Sequence, residues 1–152
     1  MFDKILVAID GSESSLQALD YAAHLASQNN AELKIISAAE PLPPLTTQAT
    51  LGFPSYIDNY QQELYESFEK IQKEQVERIL KEYPNLKITA EVQEGRAVTV
   101  IREASEDADL IVLGHRGQSG ILTWMLGSVA KQIVDSCTVP VLVIKDRNYC
   151  PI

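Results

Sequence analysis

Five short apolar runs recur along the 152 residues, separated by amphipathic stretches. Lys4-Ile5-Leu6-Val7-Ala8-Ile9 is apolar without alternation, as expected of a central parallel strand covered on both faces. It stops at Asp10-Gly11-Ser12. Ser12, Glu13 and Ser15 then supply the polar groups of a helix start. Leu16, Leu19, Ala23 and Ala26 recur at helical spacing, which predicts a helix over about 13–29, ended by Asn29-Asn30. His24 on this helix reads as a half-exposed surface histidine. Glu32 to Ala38 is a second strand. Pro41 to Ser55 is the longest irregular stretch; it follows a strand's C-terminal end and is expected to form a lid or wall there. Leu64, Phe68, Ile71, Val76, Ile79, Leu80 and Tyr83 mark one long amphipathic helix, about 56–83, stopped by Pro84-Asn85. Tyr56, Tyr60 and Tyr65 cluster at its start and read as packing against the preceding loop rather than as a stacking platform. Leu86 to Val92 alternates and suits an edge strand. Glu94-Gly95-Arg96 turns the chain, and Ala97, Ile101 and Ala104 mark a short helix ended by Asp107-Ala108-Asp109. Leu110-Ile111-Val112-Leu113 is a second buried strand. Val139 to Ile144 closes the pattern, with Pro140 removing a ladder donor, so this strand is expected to start at the proline and lie at an edge.

Strands alternating with helices imply an α/β fold: a doubly wound, five-stranded parallel sheet with helices on both faces. Two directions of winding give the order 3-2-1-4-5, in a single domain spanning residues 1–152. Strands 1 and 4 then lie side by side where the winding reverses, the place at which such sheets bind ligands. Asp10 ends strand 1 and Gly114 follows strand 4, so two polar, glycine-rich strand ends are expected to meet there.

Charge narrows the partners. A formal net charge of −8 and a pI of about 4.7 argue against broad nucleic-acid or anionic-membrane binding. No apolar run approaches the roughly 18–20 residues of a membrane span. Met1-Phe2-Asp3-Lys4 runs straight into a strand, so no secretory leader is expected. Cys137, near a core strand, and Cys150, in the tail, do not make a disulfide framework. A reduced, cytoplasmic setting fits best. His24, His115, Cys137 and Cys150 are scattered rather than spaced as metal ligands, and there is no Ser/His/Asp signature.

The chemistry-bearing stretch lies between the last two strands. Gly114-His115-Arg116-Gly117 is followed by nine residues and then by Gly127-Ser128, which opens a helical pattern with Val129, Ala130, Ile133 and Val134. A strand, a glycine loop and a helix start are the parts of an anion cradle, because first-turn amides and the helix dipole both favour a phosphate. The spacing G-x2-G-x9-G-S is neither the G-x4-G-K-[ST] loop nor the dinucleotide G-x-G-x-x-G.

This spacing resembles the nucleotide-binding signature of the universal stress protein family, and the resemblance covers nearly the whole chain. Lys4 to Ser12 is similar to the family's opening strand and aspartate. Glu94-Gly95-Arg96-Ala97 is similar to its glycine turn, with Ala97 where proline is common, and Val139 to Ile144 to its closing strand. The resemblance implies ATP or another adenine nucleotide as ligand, with Mg²⁺ or Mn²⁺ carried by the phosphates rather than by a protein cage. It implies adenosine contacts from Asp10, with Ala8 and Ile9 leading into it, and from the backbone near Ala38. It implies phosphate contacts from Gly114, Gly117, Gly127 and Ser128, with helix-start amides from Val129 and Ala130. Arg116 either pairs with phosphate oxygens or stays solvated. His115 stands where a small hydroxyl residue is frequent; it either touches ribose or phosphate or caps the turn. Asp10 suits adenosine recognition, a helix-start turn, or both.

A homodimer is expected through the apolar edge Val141-Leu142-Val143-Ile144, blunted only by Pro140 and Lys145. Ile121, Leu122, Trp124 and Met125 either extend that surface or serve as core or lid. A phosphoacceptor receiver would need a pair of acids after strand 1 and an aspartate ending strand 3. A flavodoxin would need a hydroxyl-rich loop after strand 1, where Asp10 and Glu13 stand instead. A nucleotide-activating hydrolase of the S-G-G-x-[DT]-S type would need two glycines after strand 1. Three readings remain: an ATP-binding regulatory or stress-response module, a slow ATPase, and a nucleotide-free dimeric scaffold. With no dedicated base for hydrolysis, the first is preferred.

Overall fold

A computed structural model describes residues 1–41, 54–116 and 126–145. Strand and helix alternate as β1 (Lys4–Ala8), α1 (Glu13–Asn29), β2 (Glu32–Ala39), α2 (Pro54–Glu82), β3 (Ile88–Glu94), α3 (Ala97–Ala104), β4 (Leu110–Gly114), α4 (Ser128–Ser136) and β5 (Val141–Ile144). The strands form one parallel sheet in the order β3-β2-β1-β4-β5. This is the doubly wound α/β fold that the pattern implies.

The unbroken apolar run of β1 is explained by its two covered faces. Ile5 and Val7 pack with Leu19, Ala22 and Ala26 of α1 and Ile79 of α2. Leu6, between them, points the other way, to Val100 and Ile101 of α3 and Ile133 of α4. Each fully buried Ile or Leu of this kind contributes about 1.5–3 kcal/mol. The buried face of α1 carries Ala18, Ala22, Ala23 and Ala26, and these small side chains bring the helix close to the sheet. α1 starts at Ser12, whose hydroxyl accepts from the Ser15 N–H, and ends at Asn30 in the left-handed conformation, φ 54°.

Several boundaries differ from the sequence expectation. β3 begins at Ile88 rather than Leu86, because the Leu86 N–H turns back to the Tyr83 carbonyl (3.1 Å) at the end of α2. It runs on to Glu94, since Gln93 and Glu94 pair with Ala38 and Ala39. β5 begins at Val141: Pro140 contributes only a carbonyl, which accepts from the Ile111 N–H at 2.9 Å. α2 begins at Pro54, inside the stretch expected to be irregular. Its Phe68, Leu64 and Tyr65 pack on Ala39 and Val92, so Tyr65 is a packing residue; Tyr60 is exposed. His24 is exposed, as expected. Cys137 is half-buried and packs beside the α3–α4 cluster. Among the described residues no helix is long and apolar enough to cross a membrane.

Candidate nucleotide site

The C-terminal ends of β1 and β4 open into one cleft of about 730 Å³, including its solvent-facing part. It is lined by Ala8 of β1 with Ile9 and Asp10 just after it, by Ala38 from β2, and by Gly114 of β4 with His115 and Arg116 just after it. Gly127, Ser128, Val129 and Ala130 from the start of α4 complete the set. Every candidate residue within the described part of the chain is therefore on this cleft. Gly117, the 42–53 stretch expected to roof it, the Tyr56 side chain, Ile121, Leu122, Trp124, Met125 and Cys150 lie outside the described residues. Ser15, Ala97, Ile101 and Leu113 also line the cleft; the sequence marks them as parts of strands and helix starts and not as site residues. Their walls are mostly apolar and small, which suits a flat ring with a few polar anchors.

Asp10 builds the turn between β1 and α1. Its Oδ1 accepts from the Ser12 N–H (2.9 Å), and its own N–H donates to the Ser15 hydroxyl (3.2 Å). The Ser15 hydroxyl in turn donates to the Ser12 carbonyl at 2.9 Å. Polar groups from Asp10, Ser12 and Ser15 thus close the start of α1 upon itself.

The start of α4 is built differently. Gly127 is its N-cap, with φ −60° and ψ 154°, and brings no side chain to cap it. The first backbone bond of the helix runs from the Lys131 N–H to the Gly127 carbonyl (3.0 Å). The amides of Ser128, Val129 and Ala130 therefore have no intrahelical acceptor, and all three residues line the cleft. The Gly127 amide is committed to the His115 carbonyl at 2.6 Å. It ties the start of α4 to the residue after β4 and does not donate into the cleft.

Two glycines are required by close approach. A Cβ on Gly114 would lie 2.5 Å from the Ser14 hydroxyl oxygen and 2.7 Å from the Ser14 backbone. A Cβ on Gly127 would lie 3.0 Å from the His115 carbonyl oxygen. The β4 end, the α1 start and the α4 start are thus packed backbone against backbone. The Arg116 N–H reaches the Ser14 hydroxyl (3.4 Å), and the His115 N–H extends the β5 ladder to the Ile144 carbonyl (3.0 Å). His115 is buried, and Arg116 lines the same end of the cleft.

A buried polar relay beneath the β1 end went unread in the sequence. The Ser37 hydroxyl donates to the Ile9 carbonyl (2.8 Å), and the Gln72 side-chain amide donates to Ser37 Oγ (3.0 Å) and to the Glu91 carbonyl (2.7 Å). Both side chains are nearly fully buried. The one signal was polarity at core-facing positions, Ser37 inside an apolar strand and Gln72 on the apolar side of α2.

The model of the universal stress protein family matches residues 1–145. Universal stress protein YxiE of Bacillus subtilis is 34% identical over 149 residues, covering 95% of this chain and 100% of the relative. Universal stress protein MJ0531 of Methanocaldococcus jannaschii is 31% identical over 147 residues, covering 95% and 83%. Among solved structures, a universal stress protein in complex with cAMP superposes with a TM-score of 0.69 at 27% identity, covering 94% of this chain and 97% of that one. UspA from Lactobacillus plantarum superposes with a TM-score of 0.72 at 21% identity, covering 93% and 97%, a likeness of fold. A five-stranded sheet wound as 3-2-1-4-5, Gly114 and Gly127 at its switch point and a family match over residues 1–145 together make this chain a member of the universal stress protein family.

Proposed function

We propose that this chain is a cytoplasmic, ATP-binding regulatory protein of the stress response. The observation that carries this reading is the contrast between two helix starts on one cleft. α1 is closed by Asp10, Ser12 and Ser15, whereas α4 has no side-chain cap, and its residues Ser128, Val129 and Ala130, whose amides have no intrahelical acceptor, line the cleft. An open helix start with its dipole, beside Arg116, suits a phosphate group. Asp10 and the small apolar wall at Ala38 suit the adenosine. Gly114 and Gly127 border the phosphates, with Gly117 assigned to them by the sequence spacing alone, and the phosphates carry Mg²⁺ or Mn²⁺. A relative solved with cAMP, itself an adenine nucleotide, supports the choice of base. Regulation is preferred over turnover because the reading assigns binding groups to the cleft and no base to activate a water. The functional unit is a homodimer paired through β5.

Mass analysis of ligand released from natively purified protein, followed by titration with ATP, tests the binding reading. ATP or another adenine nucleotide in the released fraction is expected. Steady phosphate release in excess ATP would move the assignment to a slow ATPase. Protein that carries no nucleotide and takes up none on titration would leave a scaffold.

A further inference from the structure

A third helix start borders the cleft, and it is capped from a distance. Arg96 is the N-cap of α3 and makes no side-chain bond to it. The cap comes instead from Glu40, the residue after β2, whose Oε1 accepts from the Ala97 N–H at 2.9 Å. One residue earlier, the Ala39 carbonyl accepts from the Gly95 N–H at 3.1 Å. Two bonds thus tie the end of β2 to the turn that opens α3. Ala38 and Ala97 lie beside this tie, and both line the cleft.

We propose that Glu40 is a positioning residue for the ligand's adenosine. By capping α3 it fixes Ala97 relative to Ala38 and holds the base-side wall in its binding shape. The inference rests on the nucleotide reading above and extends it to a residue that does not line the cleft. α3 has only eight residues, so a first turn that loses its cap takes a large share of the helix with it. The carboxylate also meets the positive end of the helix dipole. A wall held in place before binding spares the ligand the cost of ordering it. The phosphate end, built from α4, is separate from this contact.

The contact can be broken from either side. Ala97→Pro removes the N–H while keeping a residue suited to the first helical position, and Arg96 at φ −69°, ψ 136° already has the extended shape required before proline. Glu40→Ala removes the acceptor, and Glu40→Gln keeps one. Titration with adenosine and with ATP is expected to show both ligands weakened by the same factor, roughly three- to tenfold, in Glu40→Ala. Glu40→Gln should restore most of the loss. In the Ala97→Pro background Glu40→Ala should cost nothing further, since the N–H that Glu40 accepts from is already gone. Amide exchange at Ala97, read without any nucleotide, should speed up in Glu40→Ala and not in Glu40→Gln. Wild-type affinity in Glu40→Ala, an undiminished loss from Glu40→Ala in the Ala97→Pro background, or unchanged exchange at Ala97 would each overturn the proposal. A wild-type protein that binds neither ligand sinks the nucleotide reading, and the positioning role with it.

Discussion

Gly114 and Ser14 are a hundred residues apart in sequence and in backbone contact: a Cβ on Gly114 would meet the Ser14 hydroxyl at 2.5 Å and the Ser14 carbonyl oxygen at 2.7 Å. The end of β4 is therefore seated directly on the first turn of α1. Backbone cannot rotate away as a side chain can, so Gly114→Ala should cost about 3 kcal/mol. Gly127→Ala meets one carbonyl oxygen at 3.0 Å and should cost about 1 kcal/mol. Urea unfolding of the two variants checks the order; equal stabilities would show that the seat is not tight.

Asp10 has a turn role that can be separated from any ligand role. Asp10→Asn keeps an oxygen for the Ser12 N–H and should leave stability near that of wild type. Asp10→Ala removes the acceptor and should cost about 1 kcal/mol. In binding, Asp10→Ala should weaken ATP and adenosine alike, by roughly tenfold, because it touches the part they share. Calorimetric titration with both ligands decides it, and a loss confined to ATP would assign the residue to the metal or phosphates.

These two residues also mark how far the sequence is legible. Asp10 and Gly114 were readable as neighbours because strand alternation and the rule of right-handed crossovers fix strands 1 and 4 side by side. The reason for Gly114 was not readable. In sequence it is expected to be a loop glycine beside a ligand; in the fold it is a packing glycine against a helix with an alanine-rich face. Ser12 and Asn30 were legible because caps are local chemistry. Glu40 was not, because its partner is the Ala97 amide across the sheet's surface. The end of β3 was missed for a related reason: Gln93 and Glu94 lie on an edge strand and carry no apolar signal, and only their ladder with Ala38 and Ala39 makes them strand. Ser37 and Gln72 satisfy each other between elements, and polar residues of that kind announce burial only once the elements are assembled.

The opposite pole of the sheet should carry an acid-sensitive contact. The Asp109 carboxylate accepts from the Lys4 and Asp3 N–H groups, which hold its pKa below the ordinary carboxylate value. A lowered folded-state pKa gives stability that is present above the unfolded value of about 4 and lost as pH falls through the folded one. Asp109→Ala should therefore be less stable than wild type at neutral pH, with the gap narrowing in acid. Thermal melts from pH 7 to pH 3 read this directly, and a constant gap would rule it out.

The edge at β5 sets the oligomer expectation. Pro140 and Ile144 turn their carbonyls to β4, so by parallel alternation the peptide groups of Val141 and Val143 face the open edge. Val143→Pro removes one outward N–H and leaves the β4 ladder bonded. Sedimentation equilibrium should find a dimer for wild type and a monomer for the variant. A wild-type protein that is monomeric at micromolar concentration would contradict dimerisation through this strand.

The central claim is that an adenine nucleotide sits between Asp10 and the start of α4. The most direct measurement is backbone amide NMR of the full chain during titration with ATP and Mg²⁺. Shifts should concentrate at Asp10, Ala38, Gly114, His115, Arg116, Ser128, Val129 and Ala130, with Asp3, Asn85 and Asp109 at the other pole unchanged. No shifts at millimolar ATP, or shifts centred away from the ends of β1 and β4, would contradict it.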